Sequence, residues 1–293
     1  MVVLPKEISG IVENPIRHFE ENPIGILDII AFACEAEFDF DKAVAEAAAD
    51  KFELLEGVPV EQIRERFEKI ISSKRAGKGL TLLTNVGVLD SILGKQATQN
   101  MSKAEVEDFS IYVENIDKTK QTRLRRLALF YKCFTPKKAE AAIKRLEYSP
   151  EDEGFLLDGI YLLDKLYFLT NKYDLKKFLV KYGMERYDFL NNLSKAQRIV
   201  YDLSVNRIVS RQYVMDNIKE YDEPIFVEDL VIGPEDLRNA GIPDDEFDRI
   251  FDAVLDITHI KPYLNTKKDL LEYANKFYKN KWAATFRKLK FIK

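Results

Sequence analysis

The sequence predicts an all-α fold, and three observations carry that expectation. Apolar side chains recur every three to four residues along most of the chain, the spacing that lines one face of a helix. Residues suited to starting and stopping helices fall between these periodic runs. No set of segments alternates apolar and polar residues in the two-residue rhythm of paired strands.

Taken in order, Ile24, Leu27, Ala31 and Cys34 share one helical face, and Ile63, Phe67, Ile70 and Ile71 share the next. Gly57-Val58-Pro59 parts them, with Pro59 at a helix start, where its missing N–H costs nothing. Ser149-Pro150 followed by Glu151, Asp152 and Glu153 reads as another start, its carboxylates facing the positive end of the helix dipole. Phe155, Leu156, Ile160, Leu163 and Tyr167 continue the pattern. Asn171 to Asp174 can cap a helix beginning near Leu175, whose face is Leu175, Phe178, Leu179 and Tyr182 before Gly183 interrupts. Gly241-Ile242-Pro243 is a stop and restart ahead of Phe247, Ile250, Phe251, Val254 and Leu255. Asn265-Thr266 caps a last run of Leu270, Leu271, Ala274, Phe277 and Tyr278. The softest boundaries, near residues 95–104 and 219–225, suggest three parts: 1–95, 96–218 and 219–293. No repeat of fixed period appears.

At 293 residues and 46% hydrophobic composition, the chain can fill one extended domain or two or three small ones. No run reaches the roughly 18–20 apolar residues of a membrane span, so no membrane partner is expected. The opening MVVLPKEISG lacks the charged and apolar regions of a secretory leader. Cys34 and Cys133 sit inside apolar periodic segments and read as buried thiols rather than a disulfide framework. A cytoplasmic location is expected. Net charge is −4, but its distribution is uneven. Lys118 to Arg145 holds ten basic residues against one acidic, Lys261 to Lys293 ten against two, and Asp216 to Asp256 is acidic. Such asymmetry suits an anionic partner as well as a solvated face.

Motifs for catalysis are missing. The sequence contains no phosphate loop, no G-x-G-x-x-G and no nucleophile elbow. His18 and His259 are the only histidines, and neither has a second ligand at metal spacing, so no metal and no cofactor are expected. Each reads as a helix-end or partly buried residue.

Four stretches together resemble the helical neck, body and tail of the bacterial tRNA nucleotidyltransferase (CCA-adding) and poly(A) polymerase family. FEENPIGILDIIAFACEAEFDFD, from Phe19, resembles its neck helix. LLEGVPVEQIRERFEKIISSKRAGKGLTLLTNVGVLDSIL, from Leu54, is similar to the segment that follows. RLRRLALFYKCFTPKKAEAAIKRLEYS, from Arg123, is similar to the body. The stretch from Val227 to Ala274 resembles the tail most specifically, with Gly233, Asp236, Leu237, Gly241, Ile242, Pro243 and Asn265 in register. The resemblance implies an elongated array of helices.

The departures matter as much as the likeness. In the family an N-terminal head holds the metal-binding carboxylates, and the chain begins about where such a head would end, so a non-catalytic protein is expected. The neck pattern places an Asp and an Arg three residues apart to pair with the incoming base; here those positions are Asn22 and Gly25. Its later arginines fall on Asp28 and Ala31, while Ile24, Leu27, Phe32 and Phe38 keep the apolar frame. A Ser-x-Glu-Arg element reads Pro59-Val60-Glu61-Gln62, and a His-Asp metal pair of some members is replaced by Tyr131-Lys132.

What the resemblance leaves in place is RNA binding through phosphates, for which spaced cations suffice. The candidates are Arg123, Arg125, Arg126, Lys137 and Lys138 in the body, and Lys276, Lys279, Lys281, Arg287, Lys288 and Lys290 at the end, with Trp282 and Phe286 interleaved. The expected partner is tRNA or another structured RNA. The alternative is an accessory subunit or interaction scaffold, meeting a protein at the former head interface through Ile11, Val12, Ile16 and Phe19.

Overall fold

The structure, a computed structural model, describes residues 14–36 and 41–290, and for 281–290 the backbone alone. Ile11, Val12 and Phe38 therefore lie outside the described residues. Among these there are seventeen α-helices, short 3-10 turns and no strand, so the class is all-α. The helices group into two compact units, one of Met1–Leu166 with Asp188–Val205, the other of Tyr167–Tyr187 with Asn206–Lys293.

The first unit opens with α1 (Pro15–Glu21) and α2 (Gly25–Ala36), then α3 (Lys42–Lys51), α4 (Val60–Ser72) and α5 (Ala76–Asn85). It continues through the short α6 (Val88–Leu93) and α7 (Lys95–Thr98) to α8 (Lys103–Asn115). Next come α9 (Arg123–Lys132), α10 (Pro136–Arg145), α11 (Pro150–Tyr161) and α12 (Leu163–Tyr167). The predicted periodicity of α4 is its packing face: Ile63, Phe67, Ile70 and Ile71 are all buried. Phe130 of α9 sits in an aromatic cluster, edge-on to Phe67 at 5.3 Å and to Tyr112 at 6.0 Å. α5 lies so close to α8 that a Cβ on Gly77 would stand 2.2 Å from the Val113 carbonyl oxygen, which only glycine permits.

Capping follows the sequence. Ser149 Oγ accepts from the Asp152 N–H at 3.1 Å, and Ser102 and Glu105 form a reciprocal capping box on α8. The helix capped by Asn171 begins at Lys172, three residues before the expected Leu175, because the Asn171 side chain already accepts from the Asp174 N–H. This α13 (Lys172–Val200) is broken in geometry at Gly183, whose φ of 82° lies in the left-handed region, as the glycine predicts. Its residues divide between the units after Tyr187.

The second unit adds α14 (Asn206–Glu220), α15 (Pro234–Asn239), α16 (Phe247–Ile260) and α17 (Lys267–Lys290). Its core gathers Leu230, Leu237, Ile250, Val254, Leu270 and Ala274. Asn265 does more than precede a helix: its amide accepts from Val231 N–H at 3.1 Å and donates to the Asp229 carbonyl at 3.0 Å, clasping a loop 34 residues away. His259 is buried and its Nε2 bonds the Ile225 carbonyl at 2.9 Å, a position that pushes the imidazole pKa down by desolvation. Both cysteines are free and buried, and burial pushes the Cys34 thiol up to about 11.

Candidate nucleic-acid interface

The neck-like stretch is not one helix. α1 stops at Glu21, where the Asn22 N–H bonds the His18 carbonyl at 2.8 Å, and α2 restarts at Gly25 beyond Pro23. Asn22 is thus a cap outside both helices, so the two template positions do not share a helical face. Gly25 is buried, and a Cβ there would stand 2.9 Å from His18 Nε2. A longer side chain at 25 therefore has to displace the imidazole. Asp28 pairs with Arg66 at 2.9 Å. Ile24 and Leu27 are buried while Phe32 is about half exposed at 49%. Phe19 is fully buried, which removes it from the apolar patch expected near the N-terminus, although Ile16 is 48% exposed.

The basic run from Lys118 to Arg145 is spent mostly inside the first unit. Arg123 bridges Glu68 and Asp152, each at 2.8 Å. Lys138 pairs with the buried Glu105 at 2.9 Å, Lys132 with Asp164 at 2.8 Å, and the Arg145 guanidinium donates to the carbonyls of Ser91 and Ile92. Tyr131, beside Lys132, is buried and shares a hydrogen bond with Tyr148 at 2.9 Å. Arg126 is 1% exposed. Its guanidinium donates to the carbonyls of Ile71 (3.0 Å), Ser73 (2.7 Å) and Thr119 (2.8 Å) and to Thr119 Oγ1 (3.2 Å). Through these four hydrogen bonds to the chain itself, Arg126 fastens the α4–α5 corner.

Arg125 is placed differently. It lines a cleft of about 290 Å³ with Lys120, Lys195, Asn192, Ala196 and Ile199, over a floor formed by Thr119 and Arg126. No carboxylate lines this cleft. Lys120 and Lys195 are exposed and make no ion pair among the described residues, so their ammonium groups remain available to an external anion. Lys195 arrives from α13, some seventy residues after Arg125, and no local pattern in the sequence links the two. Lys120 lies in the counted basic run, in the loop before α9, where its charge alone was the signal.

The other candidates are scattered. Lys137 is exposed at the start of α10, past the far end of α9 from Arg125. Seven residues of α9 follow Arg125 before the turn into α10, a rise of roughly 10 Å. In the second unit Lys279 is exposed, and Lys276 pairs with Glu272 one turn away at 2.6 Å. The side chains of Lys281, Trp282, Phe286, Arg287, Lys288 and Lys290 lie outside the described residues, on a helix that continues to Lys290. Among the described residues no three His, Cys, Asp or Glu side chains gather as metal ligands, and no helix is long and apolar enough to cross a membrane.

These features define, as a class, a helical protein with a cationic, carboxylate-free cleft. Residues 37–99 match a protein family described as the probable RNA- and SrmB-binding site of polymerase A. That segment runs through α3 to α7 and contains the whole stretch from Leu54 to Leu93, the one similar to the segment that follows the neck helix. No curated protein matches the chain. The matched segment and the cleft are joined, because Ile71 and Ser73 of the segment hold the guanidinium of Arg126 at the cleft floor.

Proposed function

We propose that the protein binds structured RNA, tRNA among its ligands, through backbone phosphates and without catalysing a reaction on it. The observation that carries this reading is the match of residues 37–99 to an RNA-binding family. The cleft of Lys120, Arg125 and Lys195 supplies the chemistry: three cations converge on one concavity with no carboxylate among its lining residues. A non-catalytic role is supported by Asn22 and Gly25, which replace the base-pairing Asp and Arg of the neck pattern and do not lie on one helix. In its finer form the proposal places residues 1–95, 96–218 and 219–293 as neck-like, body-like and tail-like parts of a tRNA nucleotidyltransferase relative, with the basic end of α17 as a second phosphate contact.

The test is binding of labelled tRNA from 50 to 200 mM salt by the protein, a Lys120→Glu/Lys195→Glu variant and a Lys288→Glu/Lys290→Glu variant. Loss of each phosphate contact lowers the slope of log K against log salt by about 1, so either double variant is expected to lower it by about 2 and to weaken binding about tenfold or more. Undetectable binding at 50 mM salt would end the RNA reading. Binding unchanged by Lys120→Glu/Lys195→Glu would remove the cleft from it.

A further inference from the structure

A second concavity in the first unit has the opposite chemistry. It is a groove of about 450 Å³ between α5 and α8, closed at one end by α6 and the end of α7. Leu89, Met101, Val106, Phe109 and Val113 give it an apolar lining, and Val106 is 50% exposed. Three of the four hydroxyl groups along its walls are already spent, while the buried Thr98 Oγ1 has no hydrogen-bond partner among the described residues. Thr81 Oγ1 donates to the Gly77 carbonyl at 2.9 Å, Thr84 Oγ1 to Leu80 at 2.8 Å and Ser110 Oγ to Val106 at 2.9 Å. These residues therefore turn carbon toward the groove, and the surface is more apolar than its composition suggests.

The charges sit at the ends. Glu114 follows Val113, whose carbonyl meets the first turn of α5 at Gly77, while Asp90 lies beyond the other end of α5. No lysine or arginine is among the lining residues. An apolar trough between two helices, with a carboxylate toward each end, matches a helix that carries an apolar stripe flanked by cations. It repels a polyanion, so RNA is the wrong occupant.

We propose that the α5–α8 groove docks a basic amphipathic helix of a protein partner. This surface shares no lining residue with the cationic cleft, and the proposal stands whether or not the protein binds RNA. Six of the twelve residues lining it come from the segment 37–99.

The probe is a fluorescein-labelled synthetic helix of about four turns with a leucine stripe and lysines toward both ends, compared with the same peptide carrying glutamate for lysine. Fluorescence anisotropy is read against the full chain. Saturable binding of the lysine peptide and none of the glutamate peptide is expected. Val106→Lys should weaken it about tenfold or more by placing a like charge on an apolar anchor. Asp90→Asn/Glu114→Gln should weaken it severalfold and flatten its salt dependence. Should Val106→Lys lose its helical circular dichroism, Ser110→Lys replaces it, since Ser110 is exposed and its hydroxyl bonds only its own helix. No saturable binding, equal binding of both peptides, or binding indifferent to the groove variant would overturn the proposal. Lys120→Glu/Lys195→Glu should leave peptide binding intact, which separates this site from the RNA cleft.

Discussion

Arg126 offers the sharpest test of how the basic run is used. Replacing it with Met keeps much of the stem volume and removes the guanidinium that donates to Ile71, Ser73 and Thr119 carbonyls and to the Thr119 hydroxyl. Three buried carbonyls then lose this charged donor, and an orphaned buried acceptor costs about 1–3 kcal/mol. Against that, the variant no longer buries a cation, a penalty visible in the desolvation that pushes the Arg126 pKa down. The net expectation is a loss of about 3–5 kcal/mol, a large share of the roughly 5–15 kcal/mol that holds a domain together. The assay is urea unfolding at neutral pH followed by helical circular dichroism, with Arg126→Lys expected between wild type and Arg126→Met. tRNA affinity of the folded Arg126→Lys protein should change little. Stability altered by less than about 0.5 kcal/mol, together with lost RNA binding, would refute the reasoning and return Arg126 to the phosphate-contacting set.

Two further perturbations probe the same unit. Gly77→Ala would raise helix propensity by up to about 1 kcal/mol, but its methyl would meet the Val113 backbone oxygen at 2.2 Å, so a net loss of about 1–2 kcal/mol and a lower thermal midpoint are expected. A higher midpoint would show that α5 and α8 part readily. Glu105 is the acid-sensitive group. Burial favours its neutral form, yet the Lys138 ammonium and the N–H groups of Ser102 and Thr135 overcome this and hold its pKa at about 2. Because the folded value is the lower, its stabilisation is complete above the unfolded value of about 4.5 and is lost as pH falls toward 2, on the order of 3 kcal/mol in all. Glu105→Gln should be less stable at pH 7 and should flatten the stability curve across that window, as read by urea unfolding at successive pH values.

Much of the local architecture was legible in the sequence. The spacing of Ile63, Phe67, Ile70 and Ile71 fixed the buried face of α4, because a helix of 3.6 residues per turn leaves no other face for them. Ser149, Asn171 and Gly183 marked helix starts and a break, because a short side chain that accepts from a backbone N–H, or a residue free to take positive φ, acts within a few residues of itself. Asn265 looks in sequence like a punctuation mark but is a clasp, since its partners lie 34 and 36 residues away in the chain.

The use of charge was decided by the tertiary structure alone. Ten basic residues between Lys118 and Arg145 read alike in sequence, yet Arg123 and Lys138 pair with carboxylates from other helices, Arg126 is buried against carbonyls, and Arg125 lines an open cleft. Lys195 joins that cleft from a distant helix, and the Asp90 and Glu114 ends of the apolar groove meet only through packing of α5 on α8. Periodicity and caps are short-range and can be read along the chain. Whether a cation is neutralised depends on which groups folding brings within a few ångströms of it, since Coulomb attraction and hydrogen bonding act through space rather than along sequence.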